Sequence, residues 1–213
     1  RLRDRCARQG IGPNADITFE LQWLALDGGG LARLQADIEA GAYRLVITDT
    51  FSRVAGALDQ DDVGAVTIVM SSLQELAESG DRGIVLSDHH RKPNMMATDP
   101  IDDILGSTAK AAIVDTAWGL YRQRGKRETQ LKIVGRDVEE TELALQWDSL
   151  TCCWQCLGKA DDVRHDSAKA QVLAAARELS EIGETPTVSS IAKHLALNKG
   201  YVSRVANELI ATG

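Results

Sequence analysis

Arg44-Leu-Val-Ile-Thr-Asp49-Thr50 and Gly83-Ile-Val-Leu-Ser-Asp88-His89-His90 decide the fold of this 213-residue chain. Each is a short apolar run without period-two alternation, the pattern of a parallel strand covered on both faces. Each then delivers polar residues where the strand leaves the sheet, the place where open α/β sheets bind ligands. Between them, Val63, Val66, Met70, Leu73 and Leu76 recur at helical spacing behind Asp59-Gln-Asp-Asp62, a loop with N-cap capacity. The unit reads as strand, helix, strand, which favours parallel pairing through a right-handed crossover.

Working outward, Ile17-Thr-Phe-Glu-Leu-Gln-Trp23 alternates strictly and reads as a half-covered strand near a sheet edge. Leu31, Leu34 and Ile38 then mark a helix that ends at Gly41, giving the order β-α-β-α-β. Leu2–Gln9 is a basic helical stub. On the other side, Arg91–Leu105 is a long loop with Pro93 and Pro100, and loops of that length beside a strand tip tend to be functional. Gly106–Asp115 is a small-residue helix. Ala117–Tyr121, Leu131–Val134, Glu142–Trp147 and Thr151–Leu157 follow as strands joined by charged turns, an antiparallel extension of the parallel core.

The composition is that of a globular chain, 44% hydrophobic and 26% charged, with a formal charge of −7. That charge argues against coating nucleic acid over the whole surface but leaves room for a local basic site. Aromatic residues are only 4%, which disfavours extensive base-stacking platforms. No apolar run approaches the roughly 20 residues needed to span a bilayer, so no membrane partner is expected. Three of the four cysteines fall in Cys152-Cys-Trp-Gln-Cys156; without a second pair at ligand spacing they read as structural thiols. Leu150, Cys152, Trp154 and Cys156 alternate as one face of a late strand, and free thiols suit a cytoplasmic protein.

Asp49 follows four residues of strand and precedes Thr50, so its carboxylate can hold a magnesium-bound water beside nucleotide phosphates. His89 and His90 offer a neutral donor near a terminal phosphate. Adjacent residues on a strand point to opposite sides, so at most one of the two faces that site. The cluster Arg122, Arg124, Lys126 and Arg127 reads as a solvated hairpin turn.

Taken together, Leu45-Val-Ile-Thr-Asp-Thr, Ile84-Val-Leu-Ser-Asp-His-His-Arg-Lys, Leu105-Gly-Ser-Thr-Ala and Val134-Gly-Arg-Asp-Val resemble successive blocks of RecA-like ATPases of the RepA replicative helicase type. The resemblance covers roughly residues 1–157 and implies a partial RecA-like core in a homo-oligomer, hexameric or filamentous, with ATP and Mg2+ between subunits. It implies Asp49 as the magnesium-site carboxylate with Thr50 beside it, His89 or His90 as the γ-phosphate sensor, and Arg91–Leu105 as a channel loop in which Lys92 contacts the DNA backbone. Some such helicases carry an arginine finger where this chain has Leu105; the resemblance points to Arg136 as the substitute, the alternative for Arg136 being a surface salt bridge to Asp137 or Glu139. The family's phosphate-binding loop, Gly-x-x-x-x-Gly-Lys-Ser/Thr, does not occur in this sequence and is expected upstream. The chain by itself is therefore expected to bind ATP poorly and to hydrolyse it negligibly.

Gly158–Asp166 reads as a polar linker, and residues 167–213 as a small all-α domain. A helix over Ser167–Ile182 with Val172, Leu173, Ala176, Leu179 and Ile182 inward precedes Thr187–Leu195, the turn Ala196-Leu-Asn198 and Lys199–Ala211. That is a helix-turn-helix pattern and resembles winged-helix DNA-binding domains. The final helix would present Lys199, Tyr201, Ser203, Arg204 and Asn207 to a major groove, Arg204 and Asn207 to base edges and Lys199 to phosphate. Two other readings compete with the ATPase: a DNA-binding regulator whose ATPase-like part is an oligomerisation platform, and a recombinase or helicase loader.

Overall fold

The computed structural model describes residues 2–41, 43–91, 99–106, 108–122 and 128–212. The fold is mixed α/β with a small parallel sheet, an antiparallel sheet and three C-terminal helices. Helix α1 (Leu2–Arg8) and a 3-10 turn (Leu26–Gly28) precede α2 (Gly30–Gly41) and β1 (Leu45–Asp49). A short α3 (Phe51–Val54), α4 (Val63–Glu78) and β2 (Gly83–Ser87) complete the first unit.

Strands β1 and β2 pair in parallel with Leu45 opposite Gly83 and Asp49 opposite Ser87, so the two polar tips lie side by side. Asp62 starts α4: its side chain accepts from the amides of Gly64 and Ala65, at 2.8 and 3.1 Å, satisfying donors that a helix start otherwise leaves unpaired. Val66, Val69, Met70, Leu73 and Leu76 of α4 are buried with Leu34 and Ile38 of α2 and with Phe51. Burying a side chain of that size stabilises by about 1.5–3 kcal/mol, so Phe51, 1% exposed, anchors the turn directly after Asp49. Val63, expected inward, is 54% exposed. It lies in the first helical turn, and Val69 fills the inward stripe instead.

The expected strand at 17–23 does not form. Among the described residues β1 has one sheet neighbour, β2. The segment 17–23 leaves Ile17, Phe19 and Leu21 exposed while Trp23 packs on the core. Alternation marks a chain able to be a strand, but a strand also needs an edge to pair with. The result is a two-stranded parallel sheet whose Leu45, Ile47 and Val85 are exposed.

After α5 (Ala109–Ile113), β3 (Thr116–Arg122), β4 (Glu128–Gly135), β5 (Thr141–Asp148) and β6 (Cys153–Lys159) form an antiparallel sheet in sequential order. This is the extension expected from the sequence. Its last strand is shifted two residues along the chain from the expected Thr151–Leu157: Leu150 and Cys152 belong to the β5–β6 turn, where Cys152 adopts φ 57°. All four cysteines are free.

The expected linker is mostly helix. α6 (Ala160–Glu181) begins directly after β6, so residues 160–166 are its first two turns. Asp161 and Asp162 stand in its first turn, where acidic side chains favour the helix dipole. Polar residues there signal a solvated helical face. α6 packs with α7 (Val188–Leu195) and α8 (Lys199–Thr212) around Val172, Ala175, Leu179, Ile191, Val202 and Val205. Leu173 and Ile182, expected inward, are exposed, and Ala175 takes the inward place. Thr187 and Ser190 form a reciprocal capping box at the start of α7, and Asn198 accepts from the amides of Gly200 and Tyr201 at the start of α8.

Candidate functional site at the strand tips

The two strand tips meet at Asp49 and Ser87, whose hydroxyl donates to Oδ1 of Asp49 across 3.5 Å. Asp49 is exposed, and Thr50 begins the short α3, its carbonyl accepting from Arg53 and Val54. Asp49 borders a groove of about 820 Å3 between the 18–23 segment and β1, lined also by Trp23, Arg33, Thr48 and Arg53. The groove carries both charges: Arg33 lies 4.4 Å over the Trp23 ring and 3.4 Å from Glu20. A carboxylate at a strand tip, a neighbouring hydroxyl and open space suit a hydrated divalent cation. Among the described residues, no cluster of three His, Cys, Asp or Glu side chains is arranged to hold a metal ion.

Below the tips sits a residue that the sequence reading passed over. Lys110, in the first turn of α5, is 4% exposed. Its ammonium donates to Asp88 Oδ2 at 2.6 Å, to the Leu105 carbonyl at 2.8 Å and to Gln60 Oε1 at 3.0 Å. The same ammonium lies 4.6 Å from the centroid of the Phe51 ring. All three of its protons are therefore used, and its partners come from the tip of β2, from the loop before α4 and from the chain entering α5, with the Phe51 ring of α3 beside them. A buried lysine is expensive unless it is paired in this way. The signal available in sequence was a lone lysine inside Ala109-Lys-Ala-Ala-Ile113, which by itself reads as an exposed helix position.

The two histidines follow β2, which ends at Ser87, one residue short of Asp88 and two short of His89. Asp88 turns to Lys110 and His90 stacks edge-on against Tyr121, ring centroids 4.8 Å apart. The His89 backbone amide donates to Asp88 Oδ1 at 2.8 Å. Both histidines are exposed.

The loop that begins at Arg91 is tied at its base. Leu105 N–H donates to the His89 carbonyl at 3.1 Å, Arg91 N–H to the Asp103 carbonyl at 2.8 Å, and the Arg91 guanidinium to the Gly106 carbonyl at 2.7 Å. Gly106 has φ 92°, and a Cβ there would approach the Gln60 carbonyl oxygen to 2.9 Å, so a side chain would be strained in two ways. Lys92, the expected backbone contact, lies outside the described residues, as do Arg124, Lys126 and Arg127 of the basic hairpin.

Arg136 stands just past β4, about half exposed. Its guanidinium donates to the Ala112 carbonyl at 2.7 Å and lies 3.8 Å from the Asp115 carboxylate, while its amide donates to the Asp115 carbonyl. It thus closes the end of α5 within its own chain.

α8 has fourteen residues, and its periodicity sorts them. Val202 and Val205 are buried, whereas Lys199, Tyr201, Arg204 and Asn207 are exposed and Ser203 is half-buried. Four of the five residues chosen from sequence are therefore exposed on α8, spread around the part of the helix that Val202 and Val205 leave outward. They are far along the chain from Asp49, with the antiparallel sheet between the two groups in sequence. No protein-family model matches the chain, and neither does any curated protein.

Proposed function

We propose that this chain is the C-terminal portion of a RecA-like, RepA-type DNA-dependent ATPase or helicase, followed by a helix-turn-helix domain that binds duplex DNA. The observation that carries the reading is the register of β1 and β2. It sets Asp49 and Ser87 side by side at the tips of a parallel pair, with an open groove beside them. Bound Mg2+ would neutralise charge on the nucleotide phosphates. Asp49 would hold it through water, with Thr50 adjacent. His89 would stand where a terminal phosphate could be sensed, and the Arg91–Leu105 loop would carry that state onward from a base already tied to His89. In the oligomer, Arg136 would have to leave Asp115 and Ala112 to serve a neighbour's nucleotide. The outward residues of α8 would contact DNA, Arg204 and Asn207 at base edges and Lys199 at phosphate.

A second reading is favoured by one observation. The described residues hold a well-formed three-helix unit with capped helices, whereas the sequence has no phosphate-cradling loop. On that reading the protein is a DNA-binding regulator and the α/β part an oligomerisation platform. The test that separates them is duplex-DNA binding by the native gene product with and without Mg2+·ATP. The ATPase reading expects affinity or assembly to change with nucleotide; the regulator reading expects binding that ignores it.

A further inference from the structure

We infer that the tip of β2 and the first turns of α6 are coupled through one file of side chains across the antiparallel sheet: His90, Tyr121, Lys132, Glu142 and Arg164. As a regulatory route the inference rests on reading the His89–His90 tip as a sensor; as a mechanical coupling it does not. The register places the middle of the file on one face. Lys132 pairs with Gly119 on β3 and with Glu142 on β5, and Tyr121 lies two residues beyond Gly119, so Tyr121, Lys132 and Glu142 share a side.

Each link is a direct contact. His90 stacks edge-on against Tyr121, ring centroids 4.8 Å apart. The Lys132 ammonium lies 5.9 Å from the Tyr121 ring centroid, within cation–π range, and 2.9 Å from Glu142 Oε1. The other Glu142 oxygen lies 3.4 Å from Arg164. Arg164 in turn donates to the Ala160 carbonyl at 3.1 Å and to Asp161 at 2.8 Å, holding the first turn of α6. The file therefore begins where the Arg91 loop is tied and ends on the helix that carries α7 and α8.

Two features mark the Tyr121 ring as a set piece. Its hydroxyl donates to Asp103 at 2.8 Å, and the Asp103 carbonyl accepts the Arg91 amide at the loop base. The ring also lies across Gly119, where a Cβ would meet ring atoms at 2.6 to 2.9 Å. Glycine at that position is what lets the ring lie flat on the sheet between His90 and Lys132. A shift of the loop base moves Asp103 and His90 together, so the ring and the Lys132 cation above it must follow. Exposed ion pairs contribute little singly; a connected file can still transmit a bias that each link alone would not show.

The test is amide hydrogen exchange on the 213-residue chain, comparing His90→Ala in the wild-type and Glu142→Gln backgrounds. The expected result is a two- to five-fold loss of protection at residues 160–166 on His90→Ala, and no further loss when Glu142→Gln is already present. Gly119→Ala, which displaces the ring without touching either end, should reproduce the loss. If His90→Ala does not unfold cooperatively, His90→Gln replaces it. The inference is overturned if residues 160–166 keep their protection in all these variants, or if His90→Ala acts equally in both backgrounds. Neither nucleotide nor DNA enters the measurement, so failure of the ATPase reading and failure of the coupling are distinguishable.

Discussion

The ammonium of Lys110 lies 2.6 Å from Oδ2 of Asp88, with the lysine 4% exposed and the aspartate side chain 15% exposed. This pair holds the tip of β2 to the start of α5. Because the same ammonium sits over Phe51, it also holds the turn that leaves Asp49. The polar tips of the parallel strands are thereby fixed from beneath while their outer side stays open.

Removing one partner of such a pair leaves the other as a buried, uncompensated charge. Lys110→Met is expected to destabilise the first unit by about 3 kcal/mol. Lys110→Met combined with Asp88→Leu should recover most of that loss, since the isolated charge is then gone. Urea unfolding of the three proteins checks this. Equal destabilisation by the single and double variants would show that the pair is not what matters.

Tyr121 titrates abnormally. Burial, then its hydrogen bond to Asp103, then the charges of Asp103 and Asp99 push its phenol well above the ordinary value. The folded state thus retains a proton that the unfolded chain loses near pH 10. The corresponding stability is fully present below that pH and is lost as pH rises through the folded-state value. Ultraviolet titration should show a late-ionising tyrosinate component that is absent from Tyr121→Phe.

The capping box at α7 is a local, separable contribution. Thr187→Ala removes the acceptor of the Ser190 amide and should cost about 1 kcal/mol. Thermal unfolding should register the loss in the three-helix unit, and Thr187→Ser should restore most of it.

On α8 the proposed DNA contacts divide by chemistry. Arg204→Ala should weaken duplex binding and relax sequence preference, a loss of about 1–3 kcal/mol at the position it reads. Lys199→Ala should weaken all sequences alike and lower the salt slope by about 1. Fluorescence anisotropy across a salt series measures both. Identical behaviour of the two variants would remove the distinction between base and phosphate contact.

The parts of the fold that could be read in sequence are those set by local periodicity. α4 and the four antiparallel strands were legible because their apolar spacing and turn residues agree with the tertiary packing; β1 and β2 form as parallel strands, but the cover expected on both faces is missing on the side of Leu45, Ile47 and Val85. The segment 17–23 misled because alternation says nothing about whether an edge is available. The helix over 160–166 was missed because its inward residues are sparse and its polar ones read as linker. At the site, Asp49 and the histidines stood out as polar residues ending apolar strands. Lys110 did not, because its burial depends on Asp88, Gln60 and Leu105, which only the folded chain brings together. The partner of Arg136 was likewise hidden: it is Asp115, across the sheet end, and neither of its acidic sequence neighbours Asp137 and Glu139.

The most direct test of the proposed function is Mg2+·ATP turnover by the native gene product that contains this sequence, measured with and without DNA, beside Asp49→Ala. The account predicts DNA-stimulated hydrolysis that Asp49→Ala lowers by at least about a hundredfold, equivalent to about 2.7 kcal/mol of transition-state stabilisation. Turnover that is absent, or that Asp49→Ala leaves unchanged, would contradict it.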